Sequence, residues 1–273
     1  MAELTEKERK QLERNKKWWA DRTAETQAEL TKRGAVRANA QLQKYYTNSM
    51  QKIIGHFEKT YNKVFSRIEE GKAPTPADLY KLDTYWQMQG QIRQELERLG
   101  NKQAALFGNA FEKLFFDVYN SLALEGETAF STIDTEVVQQ MISQIWCADG
   151  KTWSSRIWAN TELLQQTLND SLLDCLVAGR KTTELKNLLQ ERFGVSYHNA
   201  ETIVRTEMAH IQTQAAKKRY EDYGIQQVEI LADEDERRCP ICAKLNGKRF
   251  FVGEAVPIPA HPRCRCCVVP VVD

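Results

Sequence analysis

The sequence predicts a mainly α protein: an elongated N-terminal helical bundle followed by a C-terminal α+β domain whose last part is a small, stapled β-hairpin tail. Three observations predict it. Residues 4–70 contain no proline and are rich in Ala, Glu, Gln, Lys and Arg, all good helix formers. Glycines and capping residues then punctuate a series of helical patterns as far as Gly224. Beyond it the character changes, because Cys239, Cys242, Cys264, Cys266 and Cys267 and five of the seven prolines fall in the last 35 residues.

The first helix is expected to end near Gly71. Within it Leu42, Tyr45, Tyr46, Ile53, Ile54, Phe57, Tyr61, Val64, Phe65 and Ile68 recur mostly three, four and seven apart, which makes one buried stripe. Thr75, Pro76 and Asp78 start a second helix, with a capping hydroxyl, a proline in the first turn and an acid near the positive end of the dipole. It is expected to reach Leu99 and stop at Gly100, and a third carries Leu106, Phe107, Phe111, Leu114, Phe115, Val118 and Leu122. This gives an N-terminal long-helix region over residues 1–125.

Residues 126–153 read as a connecting helix (Val137, Val138, Met141, Ile142, Trp146) and a turn at Ala148-Asp149-Gly150. The C-terminal domain spans 154–273. It opens with a helix to Ala178 closed by Gly179, then one from Glu184 to Phe193 closed by Gly194, then one capped by Ser196 that runs toward Tyr223. A strand over 228–231, a type I′ hairpin signal at Asn246-Gly247 and an edge strand over 268–272 interrupted by Pro270 complete the tail, from about residue 225.

The chain has 273 residues, 38 basic and 37 acidic side chains and a net charge of +1. That length needs no staple for its main core. Balanced charge argues against a protein that wraps nucleic acid. No apolar run approaches the ~20 residues of a membrane span, and the charged N-terminus lacks the apolar block of a secretory signal. The thiols are therefore expected to mature in a reducing cytoplasm, which favours metal binding over disulfides.

The chemistry-bearing constellation is Cys239-Pro240-Ile241-Cys242, an 18-residue spacer, and His261-Pro262-Arg263-Cys264-Arg265-Cys266-Cys267. A C-x-x-C turn supplies two thiolates from one tight loop, and a returning chain supplies the second pair of a zinc tetrahedron. The expected ligands are Cys239, Cys242, His261 and Cys264, with Cys266 as the alternative. Cys267, Cys147 and Cys175 read as small buried apolar residues. A closed four-ligand site holds shape and leaves no position for a catalytic water.

Sharper chemical readings fare worse. A redox Cys-Pro-x-Cys places its first thiol at a helix start, whereas here a hairpin turn follows the motif closely. His56-Phe57-Glu58 matches the first string of a zinc deaminase, but the proline lies inside the cysteine pair, so His56 and Glu58 read as the polar flank of a helix. A nucleophile pairing His261 with a cysteine competes with too many ligands. Arg205 and Glu207 are expected to form a structural ion pair that ties their helix to the tail, in preference to a catalytic glutamate. Arg237, Arg238, Lys248, Arg249 and Arg265, with Lys244 and Arg263, are candidate nucleic-acid contacts, interspersed with acids.

Several strings taken in order resemble the phage head morphogenesis proteins, also called Mu F-like minor head proteins. They are Ser155-Arg156-Ile157-Trp158, Arg192-Phe193-Gly194-Val195, Tyr197-His198-Asn199-Ala200, Val204-Arg205-Thr206-Glu207-Met208-Ala209-His210, Asp235-Glu236-Arg237, Leu245-Asn246-Gly247-Lys248 and the cysteine motifs. The resemblance covers roughly residues 154 to 270. It is looser over the helical first half. It implies a low-copy structural protein of the procapsid and virion, in the capsid interior or at the portal vertex. Its partners would be the portal protein, capsid or scaffold proteins and in some members the packaged DNA, with no catalytic activity in the domain. Some relatives carry a fused toxin after the domain; with the sequence stopping at Asp273, none is expected here. The extra Cys267 beside Cys266 departs from the family pattern.

Overall fold

The computed structural model describes residues 6–66, 74–122, 133–232, 236 and 238–271, apart from the side chains of residues 8, 9 and 12. It is mainly helical, with α1 Glu6–Phe65, α2 Pro76–Tyr80, α3 Asp83–Ser121, α4 Thr135–Ser143, α5 Trp153–Val177 and α6 Thr182–Asp222 before the first strand. There follow β1 Gln227–Leu231, α7 Pro240–Leu245, β2 Arg249–Phe251 and β3 Cys267–Pro270. The predicted boundaries at Gly71 and at 125/126 lie outside the described residues. Two compact units form, each from separate stretches: Met1–Arg37, Gly108–Gln144 and Val204–Asp273 in the first, Ala38–Phe107 and Ile145–Ile203 in the second.

In the second unit the predicted stripe of α1 is the core, with Leu42, Tyr46, Ile53, Phe57 and Val64 buried beside Ile92, Leu96 and Phe107 of α3, Leu168 and Leu172 of α5 and Leu189 of α6. The Thr75 capping box with Asp78 is present. The helix it starts is short, however: Trp86 Nε1 donates to the Tyr80 carbonyl at 2.9 Å, where a continuing helix would supply a backbone N–H, and α3 begins anew at Asp83.

Gly100 is not a C-cap. It lies inside α3, where a Cβ would sit 2.6 Å from Cζ3 of the Trp158 indole. Its missing side chain is what lets α5 bring that ring in. Gly194 and Ser196 likewise do not interrupt α6. Each interior glycine costs the helix about 1 kcal/mol, which the buried residues on either side outweigh. Ser196 is instead a buried polar contact: Asn160 Nδ2 donates to its carbonyl at 2.9 Å, and the Tyr46 hydroxyl lies 3.1 Å from its Oγ. Burial pushes the Tyr46 phenol up to about 12. Buried Glu95 accepts from Ser49 at 2.9 Å and pairs with Lys52 at 3.1 Å.

In the first unit the sheet has the order β2-β1-β3, antiparallel throughout, with Val228 opposite Phe250 and Ile230 opposite Val268. Val228, Ile230, Val268 and Val269 are buried, as are Met208, Ile211, Ala215 and Tyr220 of α6 and Phe111 and Phe115 of α3. Polar groups tie helix to sheet: Gln27 Nε2 donates to the Val268 carbonyl at 2.8 Å, and the Tyr220 hydroxyl donates to the same oxygen at 3.2 Å. The Arg219 guanidinium stacks between the rings of Tyr119 and Tyr223, at 4.7 and 4.5 Å.

His210 is buried in this unit, and burial, with Lys217 nearby, pushes its imidazole down from 6.5 to about 4. Between those values the unfolded chain binds a proton that the folded chain refuses, so stability falls as the pH falls. At about pH 5 the loss from this group is roughly 2 kcal/mol relative to neutral pH. Denaturant titrations at both pH values should show His210→Gln losing about that much less than the parent. Equal losses would contradict the assignment.

Candidate metal centre

The site is built on the path between β1 and β3. Cys239 is the N-cap of α7, with its Sγ accepting from the Cys242 backbone N–H at 3.3 Å and Pro240 in the first turn. One turn of helix thus turns both thiols of the C-x-x-C inward. Asn246 does not head a hairpin: it is the C-cap of α7, and its Oδ1 accepts from Ala232 N at 2.8 Å. Gly247, at φ 75°, donates to the Ile230 carbonyl at 2.8 Å, a left-handed position that favours glycine. The Asn-Gly pair therefore stitches α7 onto β1, which residue spacing alone could not distinguish from a two-residue hairpin.

The second half comes from the turn before β3, where Cys264 N donates to the His261 carbonyl at 3.2 Å. Arg263 in that turn has φ 61°, a left-handed conformation costly for a side chain with a Cβ. Its backbone N–H donates to Thr206 Oγ1 of α6 at 3.1 Å. The hydroxyl of Thr206, between the two residues singled out in the sequence, thus holds the turn.

The donors form two groups that share one thiol: Cys239, Cys242 and His261, and Cys242, Cys264 and Cys266, the atoms of each group within 4.8 Å of one another. Cys242 Sγ lies 3.1 Å from His261 Nε2 and 3.7 Å from Cys264 Sγ. His261 Nδ1 donates to the Pro262 carbonyl at 2.9 Å, which fixes the tautomer and leaves Nε2, the atom facing Cys242, with its lone pair. Cys242, Cys264 and Cys266 are buried, Cys239 and His261 half-buried. Such a cluster can hold a metal ion, and soft thiolates with one imidazole suit zinc.

The electrostatics match that chemistry. A hydrogen bond from the Cys266 thiol holds Cys264 well below the usual thiol range, and the same bond, with burial, drives Cys266 far above it. The Cys242 N–H lowers Cys239 in the same sense, whereas burial pushes Cys242 up to about 12. A metal would displace these protons.

Cys267 belongs to neither group; it opens β3 with Sγ 3.9 Å from the Leu231 carbonyl. Arg205 is exposed and Glu207 buried. Arg238, Lys248, Arg249 and Arg265 are exposed, with Arg249 paired to Glu229 at 3.0 Å, and Arg237 lies outside the described residues. Glu58 pairs with Lys186 at 2.8 Å, and neither His56 nor Glu58 is in a donor group. The helix at Cys239 removes the hairpin as an argument against redox chemistry. The surrounding His261, Cys264 and Cys266 now carry that argument.

Residues 166–269 match the model of the family described as Phage Mu protein F like protein. The NAD(+)--arginine ADP-ribosyltransferase EFV of Enterococcus faecalis (strain ATCC 700802 / V583) is 28% identical over 142 residues, which are 45% of this chain and 29% of that protein. The chain thus spans less than a third of that relative's length. No solved structure matches. No helix among the described residues is long and apolar enough to cross a membrane.

Proposed function

We propose, on the premise that residues 166–269 are a Mu F-like phage head morphogenesis domain, that the protein is a structural minor component of a phage head. Its helical first half docks on the portal or the inner capsid surface, and the tail, from about residue 225, forms a rigid module stapled by one zinc ion. Cys239, Cys242, His261 and Cys264 hold the ion, and Cys266, whose thiol donates to Cys264, is the alternative ligand. The observation that carries this reading is the pair of donor groups that share Cys242 inside the family-matched segment. Four protein ligands leave zinc no open position, so the site serves shape and not hydrolysis.

The protein is expected in purified procapsids and virions by quantitative mass spectrometry, at a small fraction of the major capsid protein. Absence from both would end the assignment. Retention or delivery of the packaged genome is the finer role, read out by the DNA content of particles that lack the protein.

Thr206 gives a local test of the metal reading. Thr206→Val removes the acceptor for Arg263 N–H and is expected to weaken zinc binding about tenfold, as loss of an outer-shell partner does, while Thr206→Ser keeps it. Equal affinities for valine and serine would detach the hydroxyl from the site.

One observation favours a second reading: Cys239 at the start of α7 with a lowered thiol is the arrangement of a redox cysteine. Reduction of a disulfide substrate by the zinc-loaded protein would support it. Inactivity of both the zinc-loaded and the metal-free protein would remove it.

A further inference from the structure

The helix α1 begins with a stretch that the rest of its unit does not cover. From Glu6 to Thr26 no residue whose side chain is described is buried, and the first buried one is Gln27. Trp18 and Trp19 are 57% and 51% exposed. About six turns of helix without a continuous apolar stripe are not held by propensity alone. Such a stretch calls for a partner.

The charges say which kind. Lys7, Lys10, Arg14 and Lys17 recur at steps of three, four and three, which puts them on one stripe, and all four are exposed. The stripe is about 15 Å long at the rise of an α-helix. Trp18, four residues after Arg14, edges it on one side, and Glu6 and Glu13 border the other. Glu6 does pair with Lys10 at 2.7 Å, but both are exposed and such a pair is easily displaced.

We propose that this segment of α1 binds the phosphate backbone of duplex DNA through Lys7, Lys10, Arg14 and Lys17. Cations spaced about one per turn match a line of phosphates, and a helix about 10–12 Å wide fits a major groove of about 12 Å. Trp18 offers a flat apolar face to the sugars beside that line. A membrane would require a continuous apolar face, but the large apolar residues here are Leu12, Trp18 and Trp19, and the two tryptophans project about 100° apart. A protein groove would require an apolar seam for its core, which is missing for the same reason. Balanced net charge excludes wrapping but not a local stripe.

The test is fluorescence anisotropy of the full chain with a mixed-sequence duplex of about 30 base pairs, between roughly 50 and 200 mM salt. Four phosphate contacts predict a log–log slope of about −3.6, a loss of roughly 150-fold over that range. Lys10→Gln/Arg14→Gln/Lys17→Gln should reduce the slope to about −1, whereas Lys10→Arg/Lys17→Arg should preserve it. These positions are exposed, and unchanged circular dichroism separates lost binding from lost folding. Three results would overturn the proposal: no binding at the lowest salt, a slope unchanged in the triple glutamine variant, which would move the contact to the tail cations, or equal stripe-dependent binding to phosphatidylglycerol vesicles. Presence in phage heads does not depend on this outcome, so the two readings fail separately.

Discussion

Cys242→Ser is expected to release the metal and unfold the tail, the largest effect of any single change. Cys242 belongs to both donor groups, so whichever group holds the ion loses a ligand with it. The tail has little to fall back on, with strands of five, three and four residues and a helix of six. Metal binding and folding are then one event, with an apparent zinc contribution of about 10–16 kcal/mol in comparable small domains. Amide exchange should rise across β1, β2, β3 and α7 in the variant and in chelator-treated parent protein. The second unit, built on α5 and the stripe of α1, should keep its protection. Cys267→Ser, outside both groups, should retain stoichiometric zinc. A Cys242→Ser protein that also retains it, with an intact sheet, would refute the arrangement.

Gly100→Ala is expected to destabilise the second unit by about 2 kcal/mol, an overpacking cost of about 3 kcal/mol less the ~1 kcal/mol by which alanine is the better helix former. The added methyl would lie 2.6, 2.9 and 3.1 Å from three atoms of the Trp158 ring. An indole is a flat, rigid body that cannot yield as the end of a flexible side chain would, so the backbone or the ring must shift. The sign should reverse once the ring is gone: in a Trp158→Ala background, Gly100→Ala should stabilise by several tenths of a kcal/mol. Thermal melts of the four proteins measure this coupling. A Gly100→Ala protein that melts at or above the parent temperature would show that the contact does not constrain the helix.

These two sites show what residue order reveals. Thr75, Asp134 and Thr152 cap helices, and Gly150, Gly179 and Gly224 adopt left-handed backbone at turns, because those roles depend on neighbours in sequence. Gly100 carries the same local signal as a C-cap, but its meaning lies in Trp158, more than fifty residues away. Ser196 was legible as a capping hydroxyl for the same local reason, and Asn160 and Tyr46 give it a different use. The break after Tyr80 depends on where the Trp86 indole points.

The donor cluster was legible because thiols and an imidazole at C-x-x-C spacing are the pattern of a metal site. Its scaffold was not. Asn246-Gly247 reads equally as a hairpin or as the end of a short helix, and only the bonds from Ala232 and Gly247 to opposite sides of the junction decide it. Thr206 lies between Arg205 and Glu207, whose charges are the conspicuous feature of that string. A hydroxyl that accepts from a remote backbone N–H leaves no periodic trace in the sequence. The sign stripe at the start of α1 was written in plain order, but charge balanced over the whole chain conceals it.

The central claim, that the segment matching the Mu F-like family model is closed by a structural zinc site, is tested most directly by zinc-edge X-ray absorption on the purified protein, together with its metal content. The expected result is one zinc per chain, coordinated by three sulfurs at about 2.3 Å and one nitrogen at about 2.0 Å, with no oxygen ligand. A chain without zinc, or a zinc that keeps a bound water, would contradict it.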